Sequence, residues 1–486
     1  MNQANVPSVR PAEKILVFLV SLGILAIFTH KTVFLAGNDA SRFAQIESLV
    51  DYHHPTINES RYNWTIDRVT IDGKDYSNKP PFFSIVGAGL YTILRTVLGL
   101  SFAGHERLVV YLLTLLMVGL STAWLVTKYY VAIQKHFQPT RKVRYLATAA
   151  LGLGTILTSF SVTLNNHTVA AAFLFAAFCA VIEEKVVKAG ILASIAFCID
   201  PAPGGIFLAV FAVMVLHSRT QGSFVRYLVS ASLAPALFCA SNWAIIGSIL
   251  PVKMIPGGLD YSGQIARNLA NVLLPDDWLY PLKCLFGWHG LFTVSPVLLL
   301  GVYGFIKQLR TGAALGRPQT RWLGAGIAAT ILLHIVFVGS YGGWSYGFRY
   351  LIPIIPLCLF FLPQVIRELR PSLFAALLTI SILFAFIGVY HPWPPGYEQE
   401  TGKDPVVSLV KNPIGGNLSA WLHEKFGNRM VTKIAESTFI SKELRPRYLY
   451  LNLFFESKDD KTTAEKVKAE YVQIIKKARG STSKNT

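Results

Sequence analysis

The chain carries little charge and little cysteine. Only 15% of its 486 residues are Asp, Glu, Lys or Arg, whereas a soluble domain carries about 25%. The five cysteines form no CxxC pair and show no metal-ligand spacing, and four of them lie within apolar runs. These shortages argue against a large soluble enzyme, a disulfide framework and a zinc site.

Long apolar runs take the place of the missing charge. Apolar residues make up 52% of the chain and the mean hydropathy is +0.44. The clearest runs, each long enough with its flanks to cross about 30 Å of hydrocarbon, are 15–28, 108–126, 291–306, 322–338 and 373–389. The first has no small-x-small cleavage site after it, so it is interpreted as a retained span. The sequence predicts an all-α polytopic membrane protein with about eleven spans.

The net charge of +18 does not indicate nucleic acid, because the basic residues cluster in short loops between apolar spans. That distribution follows the positive-inside rule. It predicts a cytoplasmic N-terminus, an extracytoplasmic C-terminus and an integral membrane location. The lack of eukaryotic signals other than N-x-S/T sequons favours a bacterial inner membrane. The predicted external loops are 36–106, 161–167, 200–204, 248–289 and 341–350.

Two segments are harder to place. Residues 82–99 resemble a span, but a crossing there would put the basic loop 128–144 outside. An amphipathic helix in the outer interface, opened by Pro80-Pro81, removes the conflict. The chain is therefore divided into a transmembrane domain over 1–390, with its catalytic external loop at 36–106, and a small extracytoplasmic domain over 391–486. Within that domain, 462–478 is predicted to be helical.

The first external loop is long and rich in ionisable groups, and long loops are usually functional or disordered. Trp64, several tyrosines and helical periodicity argue against disorder here. A helix is predicted from Asp39 to about Val50, capped by Asn38 or Asp39. Asp39 is then a carboxylate at the membrane boundary, suited to act as a general base. The competing interpretation is that it only caps the helix and pairs with Arg42.

Farther along the same loop come Asp67 and the segment Tyr76-Ser-Asn-Lys79-Pro-Pro81. Ionised groups near a bilayer are costly and tend to mark substrate or ion paths. Lys79 precedes a helix start, which favours anions, so it could hold a phosphate. A surface lysine in a turn is the alternative. Acids combined with isolated cations fit transfer chemistry on a lipid-linked anionic donor.

Three other external segments face the same side. His167 starts a span and is either a structural group or a ligand-binding one. Trp344, Tyr346 and Arg349 lie in an aromatic, glycine-rich loop; an interfacial aromatic belt explains the rings but not the arginine. The loop 248–289 contains Asp260, Arg267, Asp276, Asp277, Trp278 and His289.

The order Asp39-x-x-Arg42, Asp67 and Tyr76-Ser-Asn-Lys79-Pro-Pro81 resembles the GT-C superfamily of polyprenyl-phosphate-sugar-dependent glycosyltransferases. The similar members include protein O-mannosyltransferases and lipid A aminoarabinose transferases. The later segments Gly290-Leu-Phe-x-x-Ser-Pro296 and Trp344-Ser-Tyr-Gly-Phe-Arg349-Tyr-Leu-Ile-Pro353 look like those of bacterial members. The likeness covers about residues 14–390 and implies a GT-C-like helix bundle with interfacial helices in the first external loop.

The resemblance also implies roles for particular residues. Asp39 would deprotonate the acceptor, and Asp67 would order the acceptor or a divalent ion. Lys79, Arg349 and, less strongly, His167 would bind the donor phosphate. The substrate contacts are expected from Arg42, Tyr76, Trp344 and Tyr346.

The expected reaction moves a monosaccharide from a polyprenyl-phosphate donor to a hydroxyl of a glycan, lipid or protein, with inversion. A Mg²⁺ or Mn²⁺ ion on Asp39 and Asp67 stays open, and Asn38 stands where some members have a second acid. A lipid-linked glycan ligase, a flippase and a transporter remain the alternatives. The interruption at Asp200-Pro201 is the feature that favours a transporter.

Overall fold

The structure is a computed structural model in which helices form most of the chain. It describes residues 9–34, 38–65, 67–252, 279–312, 314–338, 345–394 and 413–426. The predictions for 462–478, for Trp344 and for the acids and Arg267 of the loop 248–289 fall outside the described residues.

Within the described residues, seven helical segments are long and apolar enough to cross a membrane. They are α1 (Pro11–Phe28), α3 (Pro81–Leu98), the run Phe102–Phe137, α10 (Pro201–Ser218), the run Gln221–Ile246, α16 (Arg317–Phe337) and α19 (Pro371–Tyr390). An eighth is formed if the bent pair Tyr280–Val294 and Leu298–Thr311, which turns by 101°, counts as one broken span. The all-α polytopic architecture is thus confirmed.

The run Phe102–Phe137 consists of α4 (Phe102–Thr114), a π-helical turn (Leu115–Gly119) and α5 (Leu120–Phe137). The run Gln221–Ile246 consists of α11 (Gln221–Ala231) and α12 (Leu233–Ile246). The bent pair comprises α13 (Tyr280–Phe286), α14 (Leu291–Val294) and α15 (Leu298–Thr311). The remaining helices are α2 (Asn38–Asp51), α6 (Arg141–Leu153), α7 (Ile156–Phe160), α8 (Asn166–Ile182), α9 (Val186–Ile199), a 3₁₀ helix (Arg349–Ile354), α17 (Ile355–Leu359), α18 (Leu362–Ile366) and α20 (Pro413–Phe426).

The count of about eleven spans is not established. Three shorter apolar helical segments, Asn166–Ile182, Val186–Ile199 and Arg349–Leu359, accompany the seven long ones. Helix α3 is among the seven by length and composition, so the interfacial placement of 82–99 stays a prediction. Its Arg95 turns back to the C-terminal end of α2, where it donates to the Val50 carbonyl (2.9 Å).

The helix predicted from Asp39 is confirmed as α2, which is buried along almost its whole length. It packs on α3 through a close approach, since a Cβ at Gly87 would lie 2.5 Å from the Ile46 side chain. The buried Glu47 carboxylate accepts hydrogen bonds from the Ser60 hydroxyl (2.6 Å) and from Nε of Arg61 (2.7 Å). A buried carboxylate paired in this way resists separation, so the bends and turns that follow α2 are held against it.

A small hairpin follows, with β1 (Arg68–Ile71) antiparallel to β2 (Lys74–Ser77). Asp72 and Gly73 form its turn with positive φ angles of 50° and 74°, the backbone that two-residue hairpin turns require. The Ser41 hydroxyl of α2 bonds to the Asp67 carbonyl (2.6 Å) and to the Ser77 hydroxyl (2.7 Å). These two bonds fix both ends of the hairpin to the first turn of α2.

Helices α8, α9 and α10 form the centre of the bundle. Helix α8 has many small side chains, as expected where membrane helices pack closely. Its buried alanines are Ala170, Ala171, Ala172, Ala176, Ala177 and Ala180. The chain breaks at Asp200, between α9 and α10, but the predicted external loop 200–204 is shorter than expected, because α10 already begins at Pro201 and a proline fits the first turn of a helix. At Gly204 a Cβ would lie 2.4 Å from the backbone of Phe197, so only glycine permits this tight turn.

Candidate functional site

Asp39 lies in the first turn of α2 and is buried. Its Oδ2 accepts the backbone N–H of Phe34 (3.1 Å), and its Oδ1 accepts that of Ala40 (2.9 Å). No ion pair of Asp39 is present among the described residues, so the predicted alternative of pairing with Arg42 is not what this geometry shows. Burial raises the pKa of Asp39 to about 7, against the opposing effect of the backbone hydrogen bonds. A carboxyl group with that pKa can exchange a proton near neutral pH.

Arg42 lies one turn farther along α2, and its guanidinium is buried. Its Nη2 donates to Oδ1 of Asn166 (2.8 Å), and its Cζ lies 5.2 Å from the ring centroid of Phe83. Within the described part of the chain, Nε and Nη1 have no hydrogen-bond acceptor. A buried cation with unused donors is costly, and an anionic ligand would satisfy it.

Asp67 is bonded differently. Its Oδ2 forms an ion pair with Nζ of Lys79 (2.7 Å), and its Oδ1 accepts a hydrogen bond from the Asn78 amide (3.2 Å). Both side chains are partly accessible, with Lys79 12% and Asp67 25% exposed. Lys79 precedes α3, which begins at Pro81. The predicted acid and the predicted phosphate-binding cation of this loop are thus in direct contact.

His167 is the second residue of α8, and its Nδ1 bonds to Oδ2 of Asp200 at 2.6 Å. The neighbouring Asn166 joins the same two regions, because its Oδ1 accepts from Arg42 and its amide donates to the Ile199 carbonyl (3.3 Å). The start of α8 therefore bridges α2 and the break between α9 and α10. Helix capping by Asn165, which accepts the Thr168 N–H at 2.9 Å, fixes the position of that start.

Arg349 opens the 3₁₀ helix and is buried. Its guanidinium lies 4.9 Å from the ring centroid of Tyr350 and 5.1 Å from that of Trp393. The His167 ring contacts the same Tyr350 edge-on, with 4.9 Å between centroids. Tyr350 thus connects the arginine and the histidine that were both predicted to serve the donor phosphate.

The charges of these groups act on one another. Burial lowers the pKa of Arg42 to about 10, the negative charges of Asp200 and Asp67 oppose this, and the positive charge of Arg349 adds to it. Asp67 also raises the pKa of Asp39 slightly. The site therefore combines residues from α2, the hairpin exit, α8, the α9–α10 break and the 3₁₀ helix in one electrostatic environment.

A divalent cation does not fit the carboxylates as they are arranged. Among the described residues, no group of three or more His, Cys, Asp and Glu side chains is placed to hold a metal ion. Both oxygens of Asp39 accept backbone N–H groups, and Asp67 faces a lysine and an amide. Magnesium requires several oxygen ligands around it, so no role is derived for a metal here.

The other predicted substrate contacts differ in accessibility. Tyr76 is half-buried on β2, opposite Val69. Tyr346 is fully buried, and its hydroxyl donates to the Phe384 carbonyl of α19 (2.7 Å). His289 is also buried and bonds through Nδ1 to the Ser345 carbonyl (2.9 Å), so it holds the loop that carries Tyr346.

Sequence reasoning did not assign Asp200 and Trp393 to the site. Asp200 had been noted only as part of a helix break, although an ionisable residue at the end of an apolar run is itself a signal. Trp393 lies in the segment after α19, where its Nε1–H donates to the Thr163 hydroxyl (2.9 Å). No local pattern places it against Arg349.

Comparison with known proteins gives structural neighbours alone. No protein-family model matches the sequence, and no curated protein matches it. The structure is similar to that of ArnT from Cupriavidus metallidurans bound to undecaprenyl phosphate, with 12% identity and a TM-score of 0.44 over 87% of this chain and 72% of that one. The apo form of ArnT gives 14% identity and a TM-score of 0.43 over 96% and 75% of the two chains.

The oligosaccharyltransferase of Archaeoglobus fulgidus, tethered to an acceptor peptide, is a further neighbour. It has 12% identity and a TM-score of 0.43 over 90% of this chain and 59% of that one. Lipid A aminoarabinose transferases are among the enzymes that the sequence resembles, and ArnT is one of them. At these identities and TM-scores the likeness assigns neither an activity nor a residue role to this chain.

Proposed function

We propose that the protein is a membrane glycosyltransferase that moves a monosaccharide from a polyprenyl-phosphate donor to a hydroxyl acceptor on the extracytoplasmic face. The observation that carries the proposal is that α2 holds both a buried carboxyl group, Asp39, and a buried guanidinium, Arg42. The pKa of Asp39 is raised to about 7, and Arg42 has unused donors among the described residues. One group suits proton removal and the other suits an anionic leaving group.

Asp39 acts as the general base in this proposal. It takes the proton of the acceptor hydroxyl while that oxygen attacks the anomeric carbon, which is the kind of step that a positioned base accelerates about 10²–10⁴-fold. Direct displacement inverts the configuration at that carbon. The backbone N–H groups of Phe34 and Ala40 hold the carboxylate in place.

Arg42 and Arg349 bind the phosphate that departs with the lipid. Both are buried, and a guanidinium supplies several donors in a fixed plane, which matches a phosphate. Lys79 lies in contact with Asp67 and contributes a third cation, two residues before the start of α3. Stabilising the developing negative charge in a buried site is usually the largest contribution to such a reaction.

The test is a transfer assay with purified protein reconstituted in liposomes that contain a panel of polyprenyl-phosphate monosaccharides. Sugar release and product mass are measured for the unmodified protein, Asp39→Asn and Lys79→Ala. We expect release of one sugar, lost in Asp39→Asn while binding of the polyprenyl phosphate persists.

The hairpin offers matched controls. Asp72 and Lys74 are exposed in the same external segment, so Asp72→Asn and Lys74→Ala change the same charges outside the site. Asparagine also tolerates the positive φ at position 72. Full turnover in Asp39→Asn would exclude Asp39 as the base. Movement of an intact lipid across the bilayer without sugar release would support the flippase or transporter alternative.

A further inference from the structure

We propose that His167 and Asp200 form a proton-donating pair that protonates the departing phosphate, with His167 touching the phosphate and Asp200 acting as a positioning residue. This inference rests on the proposed function and adds a second proton-transfer group to it. Asp39 would serve the acceptor and His167 the leaving group. The two groups lie on different helices of the same site, α2 and α8.

The geometry of the pair fixes the orientation of the imidazole. Nδ1 of His167 and Oδ2 of Asp200 are 2.6 Å apart, and both residues are buried. A carboxylate on Nδ1 selects the tautomer with a proton there and stabilises the imidazolium. Nε2 has no hydrogen-bond partner within the described residues, so it is the nitrogen left to face a substrate.

The surroundings of His167 are those of a phosphate site. Asn166, the preceding residue, accepts from Arg42, and Tyr350 lies between the His167 ring and the Arg349 guanidinium. In the described part of the chain, the charged or titratable groups that face the pair are Arg42, Arg349, Tyr350 and His334, whose ring stacks on Tyr350 at 5.3 Å.

These neighbours make protonation depend on the donor. Burial disfavours the charged form of His167 most, the Asp200 carboxylate opposes this, and the positive charges of Arg349 and Arg42 add to the effect of burial. A bound phosphate adds negative charge at the same place and favours the imidazolium. The proton is therefore held on His167 most firmly when the donor is in the site.

The step balances as follows. The acceptor oxygen forms a bond to the anomeric carbon, and its proton passes to Asp39. The bond between the anomeric carbon and the phosphate oxygen breaks, and the electron pair remains on that oxygen. The proton on Nε2 of His167 passes to the phosphate oxygen. Water then returns a proton to His167 and accepts the one on Asp39.

The experiment compares the pH dependence of turnover for the unmodified protein, His167→Gln and Asp200→Asn in the same liposome assay. A protonated His167 predicts that turnover falls at alkaline pH. Asp200→Asn removes the charge that stabilises the imidazolium, so we expect the alkaline limb to move to lower pH and the maximal rate to fall about tenfold. His167→Gln should lower the maximal rate about 10²-fold and abolish that limb.

A surface pair provides the control. Nε2 of His54 contacts Oε1 of Glu59 at 3.2 Å, with exposed side-chain fractions of 30% and 62%. His54→Gln and Glu59→Gln therefore break an exposed histidine–carboxylate pair elsewhere in the chain and should leave the profile unchanged. Binding of polyprenyl phosphate to each variant reports whether the site is still folded.

Two results would overturn the inference while the proposed function stands. An unmoved alkaline limb in Asp200→Asn, with an active unmodified protein, would reduce the pair to a structural contact. Loss of turnover in His167→Gln that is equal at every pH would do the same. If the unmodified protein releases no sugar from any donor but binds the lipid, the proposed function itself fails.

Discussion

Asp39 on α2 and Asp67 just before β1 belong to the same electrostatic environment but are held by opposite means. Asp39 is buried and accepts neutral backbone N–H groups, and its pKa is raised to about 7. Asp67 is partly exposed and is paired with the Lys79 ammonium. A carboxylate paired with a cation favours its charged form and gives little driving force for taking a proton. The difference supports the proposed assignment, in which Asp39 removes the proton and Asp67 positions Lys79.

The largest expected effect separates these two roles. Asp39→Asn should lower turnover about 10²–10⁴-fold because it removes the base, whereas Asp67→Asn should lower it by about tenfold or less. The amide of asparagine keeps the size of the side chain in both cases. Turnover numbers at saturating donor, measured beside the Asp72→Asn control, decide between them. An equal loss in the two variants would end the distinction.

The next effect concerns the cation on the same helix as Asp39. Arg42→Met should weaken binding of polyprenyl phosphate by about 10- to 150-fold, since hydrogen bonds to charged groups contribute about 1.5–3 kcal/mol. Arg42→Lys should recover only part of this, because lysine lacks the planar fork. Equilibrium binding of the lipid in nanodiscs measures both. Unchanged affinity in Arg42→Met would mean that the phosphate binds elsewhere.

A double-mutant cycle tests the contact between Asp67 and Lys79. Each single change to alanine strands the partner's charge, so the pair of changes together should cost less than the sum of the two. We expect a coupling free energy of about 0.5–3 kcal/mol in donor binding. Additive effects would show that the ion pair does not position Lys79 for the donor.

The smallest effect is a shift in the pH profile. Asp39 must be ionised to accept a proton, so turnover should rise with pH through about 7, which is the pKa of the buried group. The charge of Asp67 contributes to raising that pKa. Asp67→Asn should therefore move the acidic limb to lower pH by a few tenths of a unit. A shift to higher pH would contradict the placement of the two charges.

Local patterns in the sequence predicted the parts of the site that depend on local structure. The helix from Asp39, the break at Asp200 and the helix start after Lys79 follow from capping, proline and charge. Those signals act over a few residues and are the same in any fold. Local signals are therefore enough to predict that Asp39, Arg42 and Lys79 lie in one segment between the first two apolar runs.

The contacts between distant segments could not be predicted in the same way. The pairing of His167 with Asp200 and the packing of Arg349 on Trp393 depend on how the helices are arranged. A single sequence has no periodic signal for such contacts. The span count stays a prediction for a related reason. Several helices, such as α6 and α9, are shorter than a bilayer crossing, and hydropathy alone does not say which ones cross.

The position of Trp393 has a consequence for the order in which the protein is made. This ring lies under Arg349 and donates to Thr163, which stands 230 residues earlier in the chain. During synthesis the arginines and the base emerge well before the residue that closes their site. A ribosome-bound chain that ends after α19 would contain every proposed catalytic group but would lack Trp393, which packs against Arg349. Replacing the chain from residue 391 onward would therefore also remove the ring that packs against Arg349.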